Sequence, residues 1–169
     1  TAFSVLNAGL KFKVVDTEYL KPTICLKDLK KKISIKTKVI LPVHLYGSAA
    51  DISGIKKLIG KKKIYLIDDC AQAHGAFDDS YRGNLIKRIG SVSDISCFSL
   101  YPGKNLGAYG DAGIITTNSK SLYNIMKKIR NLGSEKKFIH DYIGMNSRLD
   151  TIQAIILNEK LKNLNKLNL

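Results

Sequence analysis

Short apolar runs of strand length alternate along this chain with segments of helical period, and that alternation is the strongest constraint on its fold. Val39 to Leu45, Ile64 to Asp68, Asp94 to Leu100 and Gly113 to Thr117 are bounded by turn residues and rich in Val, Ile, Phe or Thr, as buried strands are. A weaker strand is predicted over Phe12 to Val15. Between them, Leu26, Leu29 and Ile33 mark one helical face, and Ile55, Leu58 and Ile59 mark another that should open after Ser53 and stop at Gly60. Leu122, Ile125, Met126, Ile129 and Leu132 share a further helical face, with Gly133 placed as the residue just past the helix end. Ser147-x-x-Asp150 has capping-box-like spacing and should start a last, longer helix through Ile152, Ile156, Leu161 and Leu164. The pattern predicts an α/β fold with a mostly parallel sheet flanked by helices. A length of 169 residues with 44% apolar content suits a single domain.

Several function classes are set aside on composition. Apolar stretches such as Val39 to Val43 fall far short of the roughly 20 residues a bilayer crossing needs, so no membrane role is expected. The opening Thr1-Ala2-Phe3-Ser4-Val5-Leu6 carries no basic region or cleavage signature, reads as an internal cut and is no secretory signal. Cys25, Cys70 and Cys97 are odd in number and form no C-x-x-C pair, which points to a reducing cytoplasm rather than a disulfide framework or zinc ribbon. The net charge of +14 would attract nucleic acid. Nearly all of it is lysine, however, in scattered runs with no interleaved aromatic platform, so the reading is a solvated surface and no nucleic-acid partner.

In open α/β sheets ligands gather beyond the carboxyl ends of parallel strands. Two loops qualify. One runs Asp68-Asp69-Cys70-Ala71-Gln72-Ala73-His74-Gly75 directly after an apolar strand, and the other runs Ser99 to Asp111 with Lys104 inside it. Lys104 alone among the lysines sits in an uncharged, glycine- and aromatic-rich segment. Partial desolvation there favours the neutral, nucleophilic amine that Schiff-base chemistry requires. A phosphate-binding P-loop fails, because Asn105 follows the lysine and Phe98 stands where the first glycine should be. His44, His74 and His140 offer neither a metalloprotease pair nor a hydrolase triad. Asp78-Asp79 reads as a polar turn, and Tyr101 and Tyr109 as core or rim packing.

Four ordered blocks carry a resemblance over essentially the whole chain: Pro42-Val43-His44-Leu45-Tyr46-Gly47, Asp68 to Ala76, Phe98 to Asp111, and Asn146-Ser147-Arg148-Leu149-Asp150. Together they resemble the DegT/DnrJ/EryC1/StrS family of nucleotide-sugar aminotransferases, fold-type I enzymes that use pyridoxal 5′-phosphate (PLP). The resemblance implies that Lys104 forms the Schiff base with PLP and then shuttles the proton. It implies that Asp69 faces the pyridine nitrogen, that Ser99 binds the phosphate and that Gln72 lies near the ring and its phenolic oxygen. Asn146 matches the residue that reaches the phosphate of a partner subunit's cofactor, so a homodimer is implied, and its expected place at a helix N-terminus suits either an anion or simple N-capping. Asp68 stands where the family usually has Glu and reads as structural.

The implied reaction moves an amino group from L-glutamate to a keto-deoxy sugar on a nucleoside diphosphate, with a dTDP-3-keto-6-deoxyhexose the nearest match. The alternatives are a non-catalytic or regulatory relative and a basic nucleic-acid-binding domain. The chain departs from the family at Cys70, usually Ala, and at Ala112, usually Gly, where a positive φ would cost a residue bearing Cβ about 1 kcal/mol or more. Residues 1–169 read as the central part of the large PLP-binding domain, without the upstream phosphate loop or the C-terminal small domain. On that ground the chain by itself is expected to bind PLP weakly and turn over poorly.

Overall fold

The computed structural model describes residues 1–78 and 87–168. Helices α1 (Ala2–Asn7), α2 (Leu26–Lys32), α3 (Ile52–Ile59), α4 (Lys120–Ile129), α5 (Thr151–Leu161) and α6 (Leu164–Leu167) accompany three sheets. The main sheet holds β1 (Val39–Ile40), β2 (Tyr65–Asp69), β5 (Ile95–Ser99) and β6 (Gly113–Thr116) in the order β1-β2-β5-β6. Between β2 and β5 lies a two-stranded hairpin, β3 (Phe77–Asp78) with β4 (Lys87–Arg88); a second, β7 (Ser134–Lys136) with β8 (Ile139–His140), follows α4.

β1 pairs with β2 and β2 with β5 in parallel, whereas β5 and β6 run antiparallel with Ser99 opposite Gly113. The sheet is therefore mixed. Its fourth strand reverses because β5 and β6 are joined by the glycine-bearing loop of residues 100–112 rather than by a crossover helix.

Two apolar clusters hold this frame. Leu29 of α2 and Ile52, Ile55 and Ile59 of α3 pack with Ile40 and Leu66 on the β1–β2 side. Leu157 of α5 and Leu164 of α6 pack with Leu100, Leu106 and Ala108, which belong to the lysine-bearing loop. Each such Leu or Ile side chain contributes about 1.5–3 kcal/mol on burial. The second cluster thus fixes the loop on which the candidate chemistry depends.

Several local expectations are corrected. Phe12 to Val15 form no strand; Thr17 makes only an isolated bridge with Ile24, and Val14 lies exposed. The run from Val39 shortens to β1 and one bridge between Val43 and Asp69 before a 3₁₀ turn at Leu45–Gly47. Asp51, not Ser53, caps α3, its carboxylate accepting from the Gly54 amide at 2.7 Å. α4 stops at Ile129, so Leu132 lies beyond it in left-handed backbone (φ 58°) beside Gly133 (φ 76°). Asp150, not Ser147, is the N-cap residue of α5. Ala112 does not adopt positive φ, so the expected strain is absent. The turn at Asp78-Asp79 lies partly outside the described residues; Asp78 itself is buried at the end of β3. Among the described residues, no helix is long and apolar enough to cross a membrane.

Candidate active site

β2 and β5 are neighbours, with Asp69 opposite Cys97, so Asp69 and Ser99 emerge side by side at their carboxyl ends. Both line one cleft of about 370 Å³, together with Thr1, Ser4 and Ala71. Asp69 Oδ2 accepts from the Thr1 hydroxyl at 2.5 Å, and Oδ1 accepts from the Ala71 amide at 3.1 Å. The Ser99 hydroxyl oxygen accepts a long contact from the Tyr101 amide at 3.4 Å, which leaves its O–H to donate.

Gln72 and Lys104 line a second, larger cleft of about 940 Å³ with His74, Arg88, Asn105 and Asn168. The two clefts flank the loop after β2, where consecutive residues Ala71 and Gln72 line one each. Gln72 Oε1 accepts from the Tyr46 amide at 2.9 Å, so its amide N–H₂ remains available as a donor. Lys104 is half-buried, its amide donating to Tyr101 O at 2.9 Å, and Tyr101 and Tyr109 are exposed rather than packed in a core.

Asn146 stands apart from both clefts. It precedes α5 by five residues, so the expectation of a helix N-terminus is not met; it forms a bridge with Asn131, and its Oδ1 accepts from Arg148 Nε at 3.1 Å.

Asp68 and His44 are completely buried behind the site. Asp68 accepts from the Ser93 and Ser96 hydroxyls at 2.7 and 3.3 Å. His44 Nδ1 accepts from the Ala50 amide at 3.1 Å, which leaves Nε2 to carry the proton 3.5 Å from Asp68 Oδ2. The Cys70 thiol is close by, and burial, then Asp68 and Asp69, push its pKa far up, so it stays protonated. This is a hydrogen-bonded core cluster, consistent with the structural reading of Asp68.

Sequence reasoning weighed His74 only against metal and hydrolase motifs and passed over Asn168. His74 Nε2 lies 2.6 Å from Ser99 O, and Asn168 bridges His74 O and Asn105. The only signal for His74 was its place five residues after Asp69 in the same loop.

The neighbouring strands β2 and β5 thus end in a carboxylate and a hydroxyl and lead into the loops that carry Gln72 and Lys104, an α/β frame with its polar side chains gathered at the carboxyl edge. The DegT/DnrJ/EryC1/StrS aminotransferase family profile matches residues 1–169, and the chain belongs to that family, whose members depend on PLP. It is 42% identical over 147 residues to the dTDP-3-amino-3,4,6-trideoxy-alpha-D-glucose transaminase of Streptomyces venezuelae, covering 87% of this chain and 37% of the relative. It is 40% identical over 164 residues to the UDP-N-acetyl-3-dehydro-alpha-D-glucosamine 3-aminotransferase of Acidithiobacillus ferrooxidans, covering 97% and 43% respectively. The crystal structure of S. venezuelae DesV in complex with a ketimine intermediate superposes with a TM-score of 0.90 at 38% identity, covering 98% of this chain and 43% of that one. The chain thus spans about two fifths of the length of the relatives it matches.

Proposed function

We propose that this chain supplies the lysine-bearing part of the PLP-binding domain of a transaminase that moves an amino group from L-glutamate to a keto sugar carried on a nucleoside diphosphate. The observation that carries the reading is that Asp69 and Ser99 end the neighbouring strands β2 and β5, with Gln72 and Lys104 on the loops that follow them. The donor set fits PLP: an amine for its aldehyde, a carboxylate for its ring nitrogen, a hydroxyl for its phosphate and an amide for its phenolic oxygen.

When bound, PLP supplies an electrophilic carbon and a ring that accepts the electron pair of a breaking C–H bond. The residues of this chain do the rest. Asp69 Oδ2 would face the cofactor's ring nitrogen and favour its protonated form. Ser99 Oγ–H donates to a phosphate oxygen, a charge-assisted bond about twice as strong as a neutral one. Gln72 Nε2 would donate from an amide oriented by Tyr46, and Lys104 Nζ would be the amine that holds the cofactor at its aldehyde carbon and the base that takes up and returns the substrate's proton. Asn146 serves the phosphate of a second subunit's cofactor in a homodimer.

A dTDP-linked 3-keto-6-deoxy sugar is the substrate best supported, by the Streptomyces relative and by the match of residues 101–111; the Acidithiobacillus relative makes a UDP-linked keto sugar the competitor. The test is to add PLP, record the Schiff-base absorbance, reduce with borohydride and map the labelled peptide. Label on Lys104 is expected, and label on another lysine overturns the assignment. Lys104→Ala should abolish transfer from glutamate, and turnover equal to the parent's rejects the mechanism. Activity with dTDP- and UDP-linked keto sugars then separates the two substrates.

A further inference from the structure

His74 is only 5% exposed, although it lines the cleft shared by Lys104 and Gln72. Its Nε2 stands 2.6 Å from the carbonyl oxygen of Ser99. A carbonyl can only accept, so the imidazole proton sits on Nε2 and Nδ1 keeps its lone pair. Nδ1 is buried and has no hydrogen-bond partner among the described residues. An imidazolium would therefore place a second N–H at a buried position with no acceptor among the described residues, a costly arrangement. Burial pushes the pKa of His74 below its ordinary value; the Ser99 carbonyl opposes this, and the Lys104 ammonium adds to it. The ring packs at a tilt on Phe98, 5.6 Å between centroids.

The backbone of the same residue makes a second tie. His74 O accepts from Asn168 Nδ2 at 2.7 Å, and Asn168 Oδ1 accepts from Asn105 Nδ2 at 2.9 Å. The two ties reach the lysine loop at Ser99 and at Asn105, so they bracket Lys104. The Gly75 that follows allows this close approach: it has φ 78°, and an added Cβ would lie 2.8 Å from Asn168 Nδ2.

We infer that His74 is a positioning residue of the cofactor cradle, its neutral imidazole joining the loop that carries Gln72 to the strand end that carries Ser99 and leads into Lys104. The inference rests on the transaminase reading above for what the cradle holds. His74 touches no reacting atom; it fixes the ends of the segment from which the amine projects. A histidine present only for packing could be replaced by another ring without consequence, and this one could not.

Two substitutions separate the cases. His74→Phe keeps a ring on Phe98 and removes the donor, while His74→Gln places an amide N–H near the position of Nε2. His74→Asn, too short to reach the Ser99 carbonyl, replaces the Phe variant where that one does not fold. In the cofactor-free protein, long-range ¹⁵N–¹H spectra at pH 7 should show His74 as the neutral Nε2–H tautomer, with its resonance identified by its loss in His74→Gln. A cationic ring or an Nδ1–H tautomer overturns the inference whatever the cofactor does. In PLP titrations, His74→Phe should bind roughly tenfold more weakly, as the loss of one buried hydrogen bond implies, with a shifted pH profile of the Schiff-base absorbance. His74→Gln should restore both. Affinity and pH profile equal to the parent's in His74→Phe reject the positioning role. Borohydride labelling of the parent protein is run in parallel: failure there refutes the transaminase reading, and the tautomer measurement still decides the state of His74.

Discussion

Asp68 and Asp69 are consecutive on β2 yet leave it on opposite faces. Asp68 turns inward to the Ser93 and Ser96 hydroxyls, and Asp69 turns to the cleft and the hydroxyl of Thr1. The two carboxylates are therefore placed differently, one in the core and one lining a cleft. Asp68→Ala leaves two buried hydroxyls without their acceptor and removes the carboxylate 3.5 Å from His44 Nε2, and should cost about 2–4 kcal/mol in urea unfolding. Asp69→Ala should change stability by less than about 1 kcal/mol but weaken PLP binding roughly tenfold or more, since a hydrogen bond to a charged group is lost. Equal effects of the two substitutions on stability would contradict this division.

The three cysteines should separate by reactivity. Cys70 is fully buried, and both Cys70 and Cys97 have thiol pKa values raised first by burial and then by the neighbouring aspartates. Thiolate is the reacting form, so both resist alkylation in the folded protein. Cys25, half-buried before α2, should label first at pH 8, with Cys70 reacting only after unfolding, as read by mass spectrometry of timed aliquots. Early modification of Cys70 would show that the β2 end opens locally.

The depressed pKa of His74 makes stability depend on pH in a defined direction. Unfolded chains take up the proton near the ordinary value of 6.5, whereas the folded protein resists it to lower pH. The contribution is therefore complete above about pH 6.5 and declines as pH falls through the lower folded value. Urea midpoints measured between pH 8 and pH 5 should fall more steeply for the parent protein than for His74→Gln, which has no proton to take up. Parallel curves would mean that His74 does not titrate differently in the two states.

Much of the frame was legible because β2, β5 and β6 are strand-length apolar runs between turn residues, and because ligand residues in such sheets follow strand ends. That rule singled out the two segments that hold Asp69, Ser99 and Lys104, while the roles expected of these residues came from the family resemblance. Phe12 to Val15 misled because alternation alone does not supply a partner strand, and these residues have none. The stripe on α4 predicted a helix correctly, but Leu122, Ile125 and Met126 are only half-buried, since periodicity fixes a face and not what covers it. The ties from His74 to Ser99 and from Asn105 to Asn168 cross 25 and 63 residues, and no local spacing encodes such contacts. His74 was weighed only against metal and hydrolase motifs, and the contact it makes depends on where a carbonyl oxygen falls in space.

Gly107 tests whether the lysine loop must keep this shape. A Cβ added there would collide with the carbonyl oxygen of Pro102 and lie 2.8 Å from its carbonyl carbon and 2.9 Å from Tyr101 O. All three are backbone atoms of the turn that leads into Lys104, so relief requires moving the loop rather than rotating a side chain. The loop has little room to move, because the Ala108 amide donates to Leu100 O at 2.8 Å and Lys160 Nζ donates to Gly107 O at 2.7 Å. Gly107→Ala should therefore cost about 1–3 kcal/mol and lower borohydride labelling at Lys104 at a fixed, subsaturating PLP concentration. Gly103→Ala is the matched control: its Cβ would meet only the Tyr101 ring at 3.7 Å, an ordinary contact, and stability should stay within about 1 kcal/mol with labelling unchanged. If the two variants behave alike, the close approach of residues 102 and 107 does not govern where the amine is held.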